Sequence, residues 1–125
     1  MNELYRNMLE AYDLTTAQDV RNATFEVNQQ IILSGLAQGG FFDVAAFYGG
    51  TCLRVFHGLQ RFSEDMDFSL LVKDERFDFT RYFQPIMDEF ALVGRRVEIK
   101  KKEKKNFGRV ESAFLKDNTD VYDIS

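Results

Sequence analysis

The sequence predicts an α+β fold, in which a small mixed β-sheet is flanked by helices. Apolar residues recur at helical spacing over residues 2–12 and 16–37, which predicts two helices at the start of the chain. Short alternating segments follow at 65–72 and in the last third of the chain, and such alternation is typical of half-buried strands. A length of 125 residues predicts a single domain over 1–125.

Composition limits the classes of protein that fit this sequence. Hydrophobic residues make up 45% of the chain and include 13 Phe, which argues against intrinsic disorder. A net charge of −4 argues against a protein that coats DNA with its whole surface, while a local basic patch stays compatible. The single cysteine, Cys52, cannot form an intramolecular disulfide, and we interpret it as a packed thiol. Because no apolar run has the length of a membrane span, we expect a soluble, cytoplasmic protein.

The first predicted helix has two candidate buried faces. At helical spacing, Leu4, Met8 and Tyr12 share one face, whereas Tyr5, Met8 and Leu9 share another. Spacing alone does not choose between them.

The second predicted helix has a defined start, stripe and stop. Thr15 or Thr16 is suited to the N-cap, because a hydroxyl there accepts a hydrogen bond from a free backbone N–H. Gly39 and Gly40 predict the end of the helix. The apolar stripe that we expect to face the core consists of Val20, Ala23, Thr24, Val27, Ile31 and Leu33.

A third helix is predicted over residues 79–92. Pro85 lies beyond the first turn of a helix that begins at Phe79, so it predicts either a kink or a later start. Gly94 is the expected stop. The inner face is expected to carry Tyr82, Phe83, Ile86 and Phe90.

The last third of the chain predicts strands. Residues 95–104 and 109–115 have the pattern of two strands joined by a short loop that contains Gly108, which is typical of a hairpin. Residues 117–120 predict a turn, and a further strand begins at Val121.

A pair of aspartates is the first candidate for chemistry. Successive side chains of a strand alternate, so Asp65 and Asp67 share one face while Met66 and Phe68 share the other. Neighbouring carboxylates repel each other, and Mg²⁺ suits such a pair because it prefers oxygen ligands. For Asp-x-Asp alone, the alternative is a solvated edge strand with two exposed acids.

Gly49 and Gly50 lie between a strand-like run at 45–48 and a helix-like run at 51–56. Glycines at such a junction let the backbone approach a ligand closely, and the free N–H groups of the helix start favour an anion such as phosphate. Thr51 adds a hydroxyl at the cap position. A plain tight turn is the alternative for the glycines alone. Combined with the downstream Asp-x-Asp, they predict a phosphate site and a metal site on adjacent strands of one sheet.

The motifs between Gly49 and Phe68 resemble those of a known family. The run Gly49-Gly50-Thr51-x-Leu53-Arg54, followed by Arg61-Phe62-Ser63-Glu64-Asp65-Met66-Asp67-Phe68, is similar to the pattern of the AbiEii/AbiGii toxin family of nucleotidyltransferases, within the polymerase-β-like superfamily. The resemblance implies a nucleotidyltransferase-like fold. It also implies catalytic, metal-binding roles for Asp65 and Asp67.

The same resemblance implies a nucleotide site and a reaction. Gly49 and Gly50 would hold the triphosphate, and Thr51, Arg61 and Ser63 match nucleotide-binding positions. An ion pair with a nearby acid is the alternative role for Arg61. The implied reaction is Mg²⁺-dependent transfer of a nucleotidyl group from an NTP to an RNA (such as a tRNA) or a protein acceptor. The implied setting is a toxin of a toxin–antitoxin or phage-defence system, with a cognate antitoxin.

By resemblance, a third carboxylate on a neighbouring strand completes a two-metal site. Family members are longer and carry that acid beyond the position of Ser125, so we expect this chain to be an N-terminal piece that is inactive or weak alone. Within the chain, the acids that remain as alternatives are Glu98, Glu111, Asp117, Asp120 and Asp123, and the sequence places none of them beside Asp65.

Other interpretations stay open for the basic run and for the chain as a whole. Lysines at 100–105 protect an exposed sheet edge or contact RNA phosphates. A degenerate module that binds nucleotide or a protein partner is one alternative to an active enzyme. A nucleotide-sugar glycosyltransferase, which also uses Asp-x-Asp with a divalent metal, is another, but the upstream Gly-Gly disfavours it.

Overall fold

The computed structural model describes residues 2–48, 66–72, 76–101, 113–117 and 120–124. Within these ranges the helices are α1 (Glu3–Glu10), α2 (Ala17–Gln38) and α3 (Phe83–Leu92), and the strands are β1 (Ala45–Tyr48), β2 (Asp67–Leu70), β3 (Glu98–Lys101), β4 (Ala113–Asp117) and β5 (Asp120–Ile124). Short 3₁₀ turns at Phe41–Asp43 and Phe79–Tyr82 precede β1 and α3. The predicted α+β class is confirmed.

Helix α1 begins at a side-chain cap and buries one of its two candidate faces. The Asn2 side chain accepts a hydrogen bond from the Leu4 N–H at 2.8 Å. Tyr5 and Leu9 are buried, whereas Leu4 is 59% exposed. The face with Tyr5 and Leu9 therefore packs on the core, and the alternative face that contained Leu4 is wrong.

Helix α2 has the predicted start and stop. Thr16 is the N-cap: its hydroxyl accepts a hydrogen bond from the Asp19 N–H, and the Asp19 carboxylate accepts one from the Thr16 N–H, each at 3.0 Å. This reciprocal arrangement is a capping box. The helix ends at Gln38, and Gly40 follows with a φ of 79°, a conformation that glycine adopts without strain.

The buried stripe of α2 is shifted along the helix from the predicted one. Ala23, Val27 and Ile31 are buried as expected, but Val20 is 42% exposed. Val20 lies in the first turn, whereas the hydrogen bond from Tyr5 of α1 reaches α2 two turns further along, at Asn28. The pattern identified the correct face, and it was wrong about where burial begins.

Buried and half-buried polar side chains tie α1 and the segment directly after it to α2. The Tyr5 hydroxyl donates to the Asn28 side chain at 2.7 Å, and the Tyr12 hydroxyl donates to the Glu26 carboxylate at 2.7 Å. Gln30 in turn donates to the Tyr12 hydroxyl at 2.9 Å. Because buried polar groups are costly unless they are hydrogen-bonded, these contacts fix how the two helices pack.

Pro85 marks a late start of the third helix, one of the two predicted outcomes. Helix α3 begins at Phe83, so Pro85 is its third residue, where a backbone N–H would have no intrahelical acceptor. Gly94 ends the segment with a φ of 74°. The predicted inner face is confirmed: Tyr82, Ile86 and Phe90 are buried and Phe83 packs against the core.

The described strands form two antiparallel sheets. Strands β1 and β2 pair with each other, and β3, β4 and β5 form a second sheet in that order. Asp117 pairs with Asp120, which agrees with the predicted turn between them. The loop expected at 105–108 lies outside the described residues. None of the described helices combines the length and the apolar character needed to cross a bilayer.

An aromatic cluster joins the helices to the β1–β2 sheet. Phe41, which is 2% exposed, lies at its centre. Its ring centroid is within 6.2 Å of the rings of Phe42, Phe68, Phe77, Phe79 and Tyr82. Since Phe68 belongs to β2 and Tyr82 immediately precedes α3, the cluster sets the position of the strand relative to the helices.

Candidate functional site

The register of β1 and β2 brings the two predicted motifs close together. The strands are antiparallel, and Tyr48 is paired with Asp67. Tyr48 is the residue directly before Gly49, and Asp67 is the second acid of Asp-x-Asp. The chain therefore leaves β1 toward the glycine motif at the same end of the sheet at which it enters β2 from the aspartate motif. The predicted adjacency of these two strands is confirmed.

The β1–β2 sheet has one core face and one open face. Residues paired across an antiparallel ladder share a face. The Phe47–Phe68 pair packs against the core, with ring centroids 5.1 Å apart and the ring planes 29° from parallel. The adjacent pair, Ala46 and Ser69, is exposed. A ligand at this sheet can therefore approach from the face that carries Ala46 and Ser69.

The predicted site residues are described only in part. The backbone of Asp67 is described, as the first residue of β2. The other predicted site residues lie outside the described residues: Gly49, Gly50, Thr51, Arg61, Ser63 and Asp65. Among the residues that the structure does describe, no three His, Cys, Asp or Glu side chains are grouped so that they could hold a metal ion. The assignments of these residues to phosphate and metal stay predictions.

Four of the five candidates for a third carboxylate lie on the other sheet. Glu98 is exposed on β3, Asp117 ends β4, and Asp120 and Asp123 belong to β5. In the described residues these strands pair with one another and not with β2. Glu111 lies outside the described residues.

Part of the predicted basic run is exposed at a sheet edge. Lys100 and Lys101 are exposed at the end of β3, which is the outer strand of its sheet as described. Lys101 also contributes to a lowered pKa of Asp78, after the larger effects of the Thr80 hydroxyl and backbone N–H. The rest of the run, from residue 102, lies outside the described residues. An exposed lysine edge is compatible with both interpretations of the run.

A separate apolar groove of about 280 Å³ lies between α1, α2 and α3. Its lining includes Leu4, Ile31 and Leu92, with one carboxylate from Glu89. No residue of β1 or β2 contributes to it, so the groove is distinct from the candidate site.

Comparison with known proteins decides the family. A model described as "Nucleotidyl transferase AbiEii toxin, Type IV TA system" matches residues 31–122, which include β1 to β4 and both predicted motifs. The chain belongs to the AbiEii family. The resemblance of its motifs to this family is therefore confirmed.

This chain is also similar in fold to a solved structure. It is MenT4, a nucleotidyltransferase toxin from Mycobacterium tuberculosis H37Rv, with a TM-score of 0.55 and 22% sequence identity. The match covers 98% of this chain and 41% of the MenT4 chain, so this chain spans about two fifths of MenT4. A search of curated protein sequences returns no match. At this identity the likeness shows a common fold, which confirms the predicted nucleotidyltransferase-like architecture.

Sequence reasoning left the roles of Phe41 and Phe47 unassigned. Phe41 meets the ring of Phe68 edge-on, and Phe47 stacks with that same ring. An available signal was their position, since Phe41 directly follows Gly39-Gly40 and Phe47 lies two residues before Gly49.

Proposed function

We propose that this AbiEii chain carries the nucleotide-binding and metal-binding motifs of a toxin that transfers a nucleotidyl group from an NTP to an acceptor. The observation that carries the proposal is the pairing of Tyr48 with Asp67. It places the end of β1, which leads to Gly49 and Gly50, next to the start of β2, which follows Asp65. Transfer of a nucleotidyl group requires a metal ion beside the bound triphosphate, so the two motifs have to lie side by side.

The glycine motif is proposed to hold the triphosphate. Glycines let the backbone come close to the phosphate oxygens, and successive N–H groups at a helix start donate hydrogen bonds to them. Thr51 is proposed to add a hydroxyl donor. Arg61 and Ser63 are proposed to contact phosphate oxygens, where a guanidinium can form paired hydrogen bonds.

Asp65 and Asp67 are proposed to hold Mg²⁺. Carboxylate oxygens are the ligands that Mg²⁺ prefers, so the donor chemistry of this pair fits the ion. When bound, Mg²⁺ neutralises charge on the phosphates and polarises the phosphorus for in-line attack. The two aspartates would hold the positive charge of the ion at a fixed position relative to the glycine motif. Ser69, which lies two residues after Asp67, is exposed and supports an open face at this point of the strand.

The acceptor is proposed to be an RNA, such as a tRNA, or a protein. Lys100 and Lys101 are exposed cations suited to RNA phosphates, which favours the RNA acceptor. We propose that the chain acts in the cytoplasm, where NTPs and RNA are present, and that a cognate antitoxin opposes it. In the described part of the chain, the strands that carry four of the candidate third carboxylates do not pair with β2, so we expect weak transfer by the 125-residue chain itself.

Calorimetry with each of the four NTPs in the presence of Mg²⁺ tests the proposal. We expect one or more NTPs to bind the chain, and Asp65→Asn combined with Asp67→Asn to weaken binding by at least about tenfold, since both metal ligands lose their charge. The matched control is Asp43→Asn, an exposed acid in the 3₁₀ turn before β1, and it should bind as the wild type does.

The calorimetry also separates the proposal from its alternatives. Binding of UDP-sugars with Mn²⁺ in place of NTPs would point to the glycosyltransferase instead. Absence of binding to every nucleotide would point to a protein-binding module and would reject the proposed function.

A further inference from the structure

The ring of Phe68 lies between two other rings at the point where the two motifs meet. Phe47 stacks with it across the β1–β2 pair at 5.1 Å. Phe41 meets it edge-on, with a centroid distance of 5.0 Å and ring planes at 90°. Both are favourable arrangements of aromatic rings. Phe68 is thereby held both from β1 and from the 3₁₀ turn that precedes β1.

These contacts matter because β1 and β2 are short. Each strand has four residues, and an isolated pair of short strands is only marginally stable in water. A slip of one residue in register would also turn every side chain of β2 to the opposite face. Such a slip would take Phe68 out of contact with Phe41 and would move Asp67 relative to Tyr48. The ring contacts of Phe68 therefore oppose the displacement that would most disturb the candidate site.

Met66 is buried directly before β2, but it provides a weaker restraint on geometry. It is 0% exposed, so its burial contributes to holding the strand against the core. A methionine side chain is flexible and fills space of many shapes. The Phe68 ring contacts the rings of Phe41, Phe47 and Phe42, which leaves far fewer placements of its backbone. Phe68 therefore restrains the orientation of β2 more than Met66 does.

We propose that Phe68 is a positioning residue for the nucleotide site: through Phe47 and Phe41 it fixes the register and placement of Asp67 relative to Gly49 and Gly50. Phe68 directly follows Asp67 in the chain, so a shift of its backbone is passed on to the aspartate. The inference rests on the proposed function for its effect on nucleotide binding. Its effect on backbone geometry does not depend on that function.

The first experiment measures geometry without any ligand. Backbone amide NMR shifts of Gly49, Gly50 and Asp65 are compared in the wild type, in Phe68→Leu and in Phe77→Leu. Phe77 is the matched control, because it is also half-buried and also contacts Phe41, at 6.2 Å, but is not a sequence neighbour of either motif. We expect the three amides to shift in Phe68→Leu and to stay in place in Phe77→Leu. Equal shifts in both variants, or in neither, would overturn the proposal.

The second experiment measures the binding of NTPs with Mg²⁺ to the same proteins. We expect Phe68→Leu to weaken binding by about threefold to tenfold, the factor that corresponds to losing an aromatic pair. Phe68→Tyr keeps the ring and should restore most of the affinity, while Phe77→Leu should bind normally at a matched loss of thermal stability. A loss that simply follows stability in all variants would reject a positioning role.

The two experiments distinguish this inference from the proposed function. If the wild type binds no NTP, the proposed function fails, and the amide shifts still decide whether Phe68 sets the geometry of the two motifs. If the wild type binds NTPs and Phe68→Leu binds them equally well, the proposed function stands and the positioning role fails.

Discussion

Gly35 of α2 lies directly against the backbone of Ile86 of α3. A Cβ atom placed on Gly35 would be 2.5 Å from the Ile86 Cα and 2.9 Å from its backbone nitrogen. Real Cβ atoms essentially never come this close to another heavy atom, and backbone atoms cannot rotate away as a side-chain tip can. The absence of a side chain at Gly35 is therefore what allows the two helices to pack at this distance.

Gly35→Ala should destabilise the fold by about 1–3 kcal/mol, the usual cost of overpacking a core, despite the better helix propensity of alanine. Thermal unfolding followed by circular dichroism measures the effect. Gly39→Ala is the control: a Cβ there would meet side-chain atoms of Tyr82 and Pro85 at 3.1 and 3.2 Å, a milder overlap than the one at Gly35. If Gly35→Ala were as stable as Gly39→Ala, the tight helix contact would be wrong.

Thr16→Ala should remove the capping box at the start of α2. The Asp19 N–H would lose its acceptor, and replacing such a cap by alanine costs about 1 kcal/mol of stability. Thr24→Ala in the same helix is the control, because the Thr24 hydroxyl donates to the Val20 carbonyl, which is already used by the helix. Urea denaturation compares the two, and a loss of stability in Thr24→Ala as large as that in Thr16→Ala would contradict the assigned cap.

Asp78 should titrate below the ordinary range of an aspartate. The Thr80 hydroxyl and backbone N–H donate to its carboxylate at 2.8 and 3.1 Å and hold the pKa of Asp78 down. A lowered folded-state pKa contributes stability that is present above the unfolded-state pKa and is lost as the pH falls through the folded-state pKa. The contribution is therefore present at neutral pH and is lost as acidification carries the pH through the folded-state pKa of Asp78.

Carboxyl ¹³C NMR titration of Asp78 measures this pKa directly. Thr80→Ala removes the hydroxyl donor, so the pKa of Asp78 should rise toward its ordinary value. The variant should also lose less stability on acidification than the wild type does. A pKa that is unchanged by Thr80→Ala would show that the hydroxyl is not its main cause.

Lys100→Glu should weaken RNA binding if β3 contacts the acceptor. Filter binding with a tRNA transcript over a range of salt concentrations is the measurement, and the salt slope should fall by about 0.7–0.9 for each phosphate that the variant no longer neutralises. Arg6→Glu is the matched control, since Arg6 is an exposed cation on α1 and lies on a different element. Unchanged affinity in Lys100→Glu at every salt concentration would leave the lysines with an edge-protecting role only.

Local signals in the sequence predicted the ends of the helices well. Each of these signals acts within one turn of the backbone: the hydroxyl of Thr16, the positive φ at Gly40 and Gly94, and the ring of Pro85. Their physical effect is therefore contained in a few neighbouring residues. Both alternatives for Pro85 followed from the same rule, and the structure selects the later start.

Burial was harder to predict because it depends on partners that are distant in sequence. Periodicity put Leu4 and Val20 on apolar stripes, yet both are exposed, because none of the described elements covers that part of either helix. The central position of Phe41 in the aromatic cluster likewise depends on contacts with residues far along the chain.

The candidate site was predicted to the level of its strands. The glycine motif after the apolar run, combined with the downstream Asp-x-Asp, predicted two adjacent strands, which the register of Tyr48 and Asp67 confirms. The antiparallel pairing of β3 with β4 agrees with the hairpin predicted from the short loop between them. The position of this sheet relative to β1 and β2 depends on long-range contacts, which local sequence signals do not specify. The roles of Asp65 and Asp67 in binding a metal stay predictions.

The hydrogen bonds between α1 and α2 have a practical consequence for choosing where to shorten this protein. The family match begins at residue 31, in the middle of α2, so cutting there would bisect a helix and discard Tyr5 together with the amide of Asn28 that it contacts. Fragments for crystallography or screening should instead begin at or before Asn2, with any affinity tag placed ahead of it. A homology boundary marks where sequences remain recognisable, whereas the folding unit here extends a full helix and a half further toward the amino terminus.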